Sequence, residues 1–345
     1  MPESPTPLRL AVALDAPRPD ATAVHDAAYH VALARLAERG GLDFLTLGDG
    51  FARPGLDALA VLARVAPATE RIGLVPTVTT THTEPFHVST AVATLDWVSH
   101  GRAGWTVGVS TTAAEAALVG RRAAAPPTDV WREAGEVADV VARLWDSWED
   151  DAEIRDRATG RFLDRDKLHY VDFTGSTFSV RGPSIVPRPP QGRAVTVVEV
   201  TGAGDSADEA VREVAAAHAD VVLVRVEDPY AAGAARAELR ERARAHGRDP
   251  DRLLVFASLP TELHSADDAA GLADLIGDWY AAGAADGFHL RPADPARDLA
   301  RLVEGTVPRL RDRGLRRREQ LGGTLRDHLG LARPANRYSP AREAS

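Results

Sequence analysis

The sequence predicts an α/β fold, a (β/α)8 TIM barrel. Short apolar runs alternate with longer segments of helical period along the 345 residues. Eight of these runs are nearly continuous in apolar character, as parallel strands buried on both faces are. Eight strand–helix units are the number that closes a barrel. An open doubly wound sheet is the alternative, but no G-x-G-x-x-G follows the first strand, as a dinucleotide fold would require.

The first half of the chain supplies four strand–helix units. Its strands are predicted at 8–15, 43–49, 71–81 and 102–110. Gly40 and Gly41 provide the stop for the first helix. The third strand, "RIGLVPTVTTT", is rich in β-branched residues, which favour extended backbone.

Residues 149–193 interrupt this rhythm. They follow a long amphipathic helix and are charged, rich in turn residues and Pro-rich toward their end. Two short β-like pieces, "HYVDF" and "TFSV", predict a hairpin there. We therefore expect an insertion in the barrel.

The second half resumes the alternation. Its strands are predicted at 194–200, 220–226, 253–259 and 286–290, with helices between them. A helical tail is expected over about 306–345. The whole chain, 1–345, is predicted to form one domain.

Composition limits the classes of function. The chain has no cysteine, which excludes disulfides and thiolate sites. Its net charge of −9 argues against nucleic-acid binding. It has no apolar run of membrane-spanning length, no signal core and no clustered metal-ligand motif. We expect a cytoplasmic protein with no membrane association and no metal site.

The chemistry of a (β/α)8 barrel lies at the carboxyl ends of its strands. The residues predicted there are Asp15, Asp49, Thr77 to His82, Thr106 to Ser110, Thr201, Gly202, His289 and Arg291. Hydroxyls and glycines suit hydrogen bonds to a flat heteroaromatic ring and its phosphate. For any single hydroxyl, capping of the next helix is an equally good interpretation.

Several segments carry a resemblance to a known family. They are "GRAGW", "LWDSWEDDA", "TGRFLDRDKLHYVDFTGSTFSVRGPSIVPRPPQGR", "AAGAADGFHL" and "VPRLRDRGLRRREQLGGTLRDHLGL". The chain resembles the bacterial luciferase-like flavin-dependent monooxygenases, in the nitrilotriacetate and dibenzothiophene-sulfone monooxygenase branch. The resemblance covers nearly the whole chain.

The resemblance implies reduced FMN as cofactor, supplied by a separate flavin reductase. It also implies O2 and a small organic molecule as substrates, and a homodimer or homotetramer. By residue-to-residue correspondence, the cofactor-binding candidates are Asp49, Thr77, Thr79, Thr106, Ser110, Trp131, Gly202, Gly204 and Ser206. His82 is the candidate catalytic base.

Three departures from the family pattern predict atypical flavin contacts. Thr106 stands where the family has asparagine, and Val130-Trp131 stand where it has Arg-Tyr. Asp205, Asp208 and Glu209 crowd the turn after the fifth strand, where they would repel a phosphate. The chain is also predicted to be shorter than the branch after "LLVFASLPTEL".

Three hypotheses of function follow from the sequence. The first is an FMN-dependent two-component monooxygenase. The second is a homologue that has lost FMN binding and acts as a partner subunit, a binding protein or a cofactor-independent enzyme. The third is a deazaflavin-dependent oxidoreductase, which the match in the first half of the chain disfavours.

Overall fold

The computed structural model describes residues 7–15, 25–52, 54–202, 206–316 and 323–339. Its strands are β1 (Arg9–Ala13), β2 (Phe44–Leu47), β3 (Gly73–Thr79), β4 (Gly104–Gly108), β5 (Glu153–Asp156), β6 (Arg161–Leu163), β7 (Phe173–Thr174), β8 (Ser179–Val180), β9 (Val195–Val200), β10 (Val221–Arg225), β11 (Leu254–Thr261) and β12 (Gly287–Pro292).

Eight of these strands close into a parallel barrel in the order β1-β12-β11-β10-β9-β4-β3-β2. Each predicted core strand overlaps one of them. The helices are α1 (Ala27–Arg39), α2 (Ala58–Val65), α3 (Pro85–Val98), α4 (Ala113–Val119), α5 (Pro127–Asp146), α6 (Ser206–His218), α7 (Pro229–Ala245), α8 (Ala266–Ala281), α9 (Pro295–Arg301), α10 (Val307–Asp312) and α11 (Leu325–Leu329). The predicted (β/α)8 barrel is confirmed.

The insertion contains two hairpins where the sequence predicted one. The predicted pieces form β7 and β8, which pair antiparallel. The second hairpin, β5–β6, turns through Asp156 to Gly160, where Asp156 accepts hydrogen bonds from Ala158 N and Thr159 Oγ1 and Gly160 has φ +70°. Asp and Gly are ordinary turn residues, but the charged strands beside them gave no apolar alternation to detect.

The barrel interior is apolar below the carboxyl ends of its strands. One side of the strands contributes Phe44, Val75, Val197, Leu223 and Phe256 to a single buried cluster. The other side of the strands packs against the helices, as Trp105 does on β4. Side chains alternate between the two sides of a strand. Counting in steps of two from these inward-facing residues therefore shows which residues at the carboxyl ends also face inward.

Three aspartates make the same kinds of contact at the amino ends of the strands. Asp43, Asp220 and Asp286 each precede a strand and accept a backbone N–H from the neighbouring strand, at 2.7, 3.0 and 2.9 Å. Each also pairs with arginine. These carboxylates bind adjacent strands together, so this end of the barrel is a region of stability.

The C-terminal segment closes the same end. Leu325, Leu329 and Leu331 belong to the interior cluster of the barrel. Arg326 donates to both oxygens of Asp220, at 3.2 and 2.7 Å, and to the carbonyl of Arg193. The predicted helical tail is only partly helical in the described residues, since residues 331–339 form no helix.

Candidate functional site

The carboxyl ends of β3 and β4 present hydroxyls to the barrel interior. Thr77 and Thr79 follow the inward-facing Val75 at spacings of two, and Thr77 is in register with Thr106. Thr106 is 7% exposed, and its Oγ1 is buried with no hydrogen-bond partner. A buried hydroxyl without a partner costs about 1–3 kcal/mol, so such atoms are rare unless a ligand satisfies them.

Two threonines bind the loops after β3 and β4 to each other. Thr80 donates through both its N–H and its hydroxyl to the carbonyl of Gly108, at 2.8 and 2.9 Å. The Thr81 hydroxyl accepts the N–H of Ser110 at 3.1 Å. These contacts hold His82 and Ser110 at the carboxyl end of the barrel, which is called its mouth below. The Ser110 Oγ is buried without a hydrogen bond of good geometry, although it helps to lower the pKa of Glu115.

His82 combines strained backbone with an unpaired ring nitrogen. Its φ is +69°, a conformation that costs a residue other than glycine about 1–3 kcal/mol and concentrates at functional sites. Its Nδ1 is buried and has no partner. Burial, together with the positive charge of Arg122, lowers the pKa of His82. A lowered pKa favours the neutral imidazole, which is the form that can accept a proton.

Asp49 is occupied by its own loop. One carboxylate oxygen accepts the N–H of Gly50 at 2.7 Å, and the other accepts the N–H of Ala58 at 2.9 Å, at the start of α2. The residue thus shapes the loop after β2. Its predicted cofactor contact remains a prediction.

The turn after β9 is the predicted phosphate site. Gly202 has φ +75°, as a nest of backbone N–H groups needs, and Ser206 begins α6. However, the Gly202 N–H donates to the Asp208 carboxylate at 3.2 Å, and Asp208 also pairs with Arg212 at 2.9 Å. Gly204 lies outside the described residues. In this structure a carboxylate of the chain itself already holds one of the donors that would cradle a phosphate.

Trp131 lies on the first turns of α5. It is half-buried and packs against the cluster between the barrel and its helices, which includes Val107 and Val200. That contact gives it a packing role. Its predicted flavin contact is neither supported nor contradicted.

His289 forms a network in the upper barrel that the sequence did not reveal. Its Nε2 lies 2.9 Å from the Thr46 hydroxyl, and its Nδ1 lies 2.9 Å from the Ser258 hydroxyl. Burial lowers the pKa of His289 to about 3, with Arg291 and Arg225 acting in the same direction and Asp15 against them. This histidine is neutral and fixed, so it forms a floor beneath the mouth.

A charged group lies above that floor. Glu199, Arg225 and Arg291 each follow an inward-facing residue at a spacing of two, so all three face the interior. Arg225 Nε pairs with Glu199 at 2.6 Å. The sequence placed Arg291 at the mouth without a role and missed Glu199 and Arg225. Inward parity, counted from the apolar residues below, was the signal that would have found them.

Two further findings concern the described residues only. They contain no group of three or more His, Asp or Glu side chains arranged to hold a metal ion. Within the same ranges, every helix is too short or too polar to cross a bilayer.

Comparison with known proteins identifies the family. Residues 9–329 match the family model described as luciferase-like monooxygenase. This chain belongs to the luciferase-like monooxygenase family. The predicted recognition is thereby confirmed.

Relatives within the luciferase-like monooxygenase family include both enzymes named by the resemblance. Nitrilotriacetate monooxygenase component A of Aminobacter aminovorans is 30% identical over 419 residues, which cover 90% of this chain and 91% of that protein. Dibenzothiophene-sulfone monooxygenase of Rhodococcus erythropolis is 29% identical over 421 residues, which cover 91% and 92%. These relatives support the predicted enzyme class, a flavin-dependent monooxygenase.

A solved structure supports the barrel independently. The crystal structure of long-chain alkane monooxygenase has a TM-score of 0.84 and 22% sequence identity, and the match covers 94% of this chain and 96% of that one. At this identity the likeness concerns the fold alone.

This chain is shorter than its luciferase-like relatives across the aligned region. The alignment with the nitrilotriacetate enzyme runs over 419 positions, whereas 90% of 345 residues is about 310. About 110 alignment positions therefore have no counterpart in this chain. The difference agrees in direction with the shortening predicted from the sequence.

Proposed function

We propose that this chain is the oxygenating component of a two-component monooxygenase. It uses reduced FMN from a separate flavin reductase, together with O2, to oxygenate a small organic substrate. The observation that carries the proposal is the pair of buried polar atoms without partners at the mouth, Thr106 Oγ1 and His82 Nδ1. A bound ligand satisfies both atoms and removes the cost of leaving them unpaired.

The inner hydroxyls fit the ring end of a flavin. Thr106 offers a donor and an acceptor to the polar edge of the ring, and Thr77 and Thr79 face the same space. Ser110 follows at the same end of β4, where its hydroxyl also acts on Glu115. When bound, reduced FMN supplies the electrons that activate O2. The chain itself positions the ring and the substrate and excludes water.

His82 is the proposed proton acceptor in this site. Its lowered pKa favours the unprotonated form, and its buried Nδ1 has no hydrogen-bond partner in the described residues. The strained backbone at His82 follows Thr80 and Thr81, whose contacts join the loop after β3 to the loop after β4.

One observation favours a second candidate, a homologue that no longer binds FMN well. The Asp208 carboxylate holds the Gly202 N–H, so a phosphate entering this turn must displace a negative charge. Repulsion between two such charges near a protein surface amounts to a few kcal/mol, about 4 at 4 Å. This candidate acts as a partner subunit, a binding protein or a cofactor-independent enzyme.

A deazaflavin-dependent oxidoreductase is a weaker alternative, because the curated relatives compared above are named as monooxygenases.

The homodimeric or homotetrameric state and the flavin reductase partner rest on the resemblance. The cytoplasmic location rests on the composition of the sequence. The name of the nitrilotriacetate relative, component A, accords with a system of more than one protein.

Anaerobic titration of the full chain with reduced FMN tests the first candidate against the second. The expected result is saturable quenching of tryptophan fluorescence. A folded protein that binds neither reduced nor oxidised FMN would instead establish the second candidate.

A further inference from the structure

Arg291 is a half-buried cation at the carboxyl end of β12. In the part of the chain that the structure describes it makes no hydrogen bond and no ion pair, and its Nε is buried. Two other arginines with a buried, unpaired Nε place their terminal nitrogens on acceptors. Arg143 pairs with Asp139 at 2.6 Å, and Arg240 pairs with Asp286 at 3.2 Å. Within the described residues Arg291 makes no such pair, a property that it shares with Arg9 at the opposite end of the barrel.

Two carboxylates act on Arg291 without forming an ion pair with it in the described residues. Glu199 is paired with Arg225 at 2.6 Å. Asp15 accepts the Gly48 N–H at 3.0 Å. Burial lowers the pKa of Arg291 and the positive charge of Arg225 acts in the same direction, whereas the charges of Glu199 and Asp15 act against them. Arg225 and Arg291 therefore face the same interior and lie close enough for their charges to interact.

The position of Arg291 directs it toward a ligand. It lies two residues beyond His289 on β12 and faces the interior, directly above the His289–Thr46–Ser258 network. Thr106 Oγ1 faces the same interior from β4 and also lacks a partner. A planar guanidinium with free donors in a partly dehydrated mouth matches the two oxygens of a carboxylate or phosphate.

We propose that Arg291, with Arg225 held beside it by Glu199, binds an oxyanion of the ligand that occupies the barrel mouth. The oxyanion has one of two sources, the phosphate of the flavin or a carboxylate of the organic substrate. The flavin source would move the phosphate away from the turn that Asp208 occupies. The inference rests on the proposed function only in taking the mouth as the ligand site.

The test compares Arg291→Gln with Arg291→Lys. The lysine keeps the positive charge but lacks the two parallel N–H groups of the planar guanidinium. The matched control is Arg252→Gln, an equal change of charge at a 70% exposed side chain beside the amino end of β11. Because Arg291 makes no internal bond, its variants should keep the urea midpoint of the wild type. Arg291→Lys provides the test if Arg291→Gln does not fold.

Two pairs of probes separate the sources. Reduced FMN and reduced riboflavin differ only in the phosphate and are titrated anaerobically. Citrate and inorganic phosphate are titrated into the flavin-free protein and report any other oxyanion. If the flavin phosphate is the ligand, Arg291→Gln weakens FMN binding at least tenfold and leaves riboflavin binding unchanged. If a substrate carboxylate is the ligand, both flavins bind as before and citrate binding weakens at least tenfold.

Either result supports the proposal, and Arg291→Lys should fall between the wild type and Arg291→Gln. The proposal is overturned if Arg291→Gln matches Arg252→Gln for every probe. It is also overturned if the wild type binds none of the probes. Failure of the proposed function looks different, since the wild type would then bind neither flavin while citrate binding still depended on Arg291.

Discussion

At the amino end of the barrel most of the described buried polar groups have several partners, with Arg9 Nε an exception, whereas at the carboxyl end several buried atoms have none. Arg102, below β4, donates to four carbonyls and to the Thr69 hydroxyl. At the mouth, Thr106, His82 and Arg291 carry buried atoms without partners. The difference shows that the first end is built for stability and that the second keeps its polar groups available for a ligand.

The largest effect is expected from breaking a pair at the amino end. Arg326→Met removes the ion-pair partner of Asp220 and leaves that carboxylate with the Thr196 N–H and the more distant charge of Arg248. The free energy of unfolding should fall by about 3–5 kcal/mol, because an unpaired buried charge remains. Urea unfolding measures it, and Arg252→Met serves as the exposed control. A loss under about 1 kcal/mol would contradict the stabilising role assigned to this end.

The second prediction concerns the pH dependence of the free energy of unfolding, to which the buried His289 contributes. The pKa of His289 is about 3 in the folded chain, while an unfolded histidine titrates near 6.5. The unfolded chain therefore binds more protons in this range, so stability is full above pH 6.5 and is lost as the pH falls toward 3. Between pH 6.5 and 5 the loss from His289 alone should be about 2 kcal/mol.

His289→Gln supplies the comparison for that measurement. Its unfolding free energy should fall less steeply than that of the wild type over the same pH range. His218 on α6, whose pKa burial lowers to about 4, contributes to both curves and cancels in the difference. Parallel curves for the two proteins would mean that His289 does not titrate as a buried neutral group.

A smaller effect is expected at the turn after β9. Asp208→Ala frees the Gly202 N–H and removes a negative charge, so reduced FMN should bind about tenfold more tightly, equivalent to about 1.4 kcal/mol. Riboflavin, which lacks the phosphate, should bind as before. Glu209→Ala is the control with the same change of charge, at a 59% exposed residue paired with Arg242. Equal effects of the two variants would show that the Gly202 contact does not matter.

The smallest effect compares one hydroxyl from each end. Thr69→Val removes a hydroxyl bonded to the Val65 carbonyl and Arg102, and should lower stability by about 1–2 kcal/mol. Thr106→Val removes a hydroxyl without a partner, so stability should hold or rise by up to about 1 kcal/mol, while flavin binding weakens. Thermal unfolding and fluorescence titration measure both, and a Thr106→Val variant as destabilised as Thr69→Val would break the comparison.

Much of the fold was predictable, because strands that are buried on both faces consist of nearly continuous apolar residues, which can be recognised in the sequence. Each of the eight barrel strands overlaps its predicted run. The β5–β6 hairpin was missed because its exposed, charged strands carry no such pattern. The roles of Asp43, Asp220 and Asp286 were also missed, although each stands just before its strand.

The candidate site was predictable in position but not in pairing. The sequence alone determined which residues lie at the strand ends, including His82, Thr106 and Arg291, because each follows a recognisable apolar run. Only the tertiary structure decided that Asp49 and Asp208 hold backbone N–H groups, that His289 joins Thr46 to Ser258, and that the buried Arg291 Nε has no partner among the described residues. Periodicity fixes the direction of a side chain, whereas a hydrogen bond depends on distances between strands that are far apart in the chain.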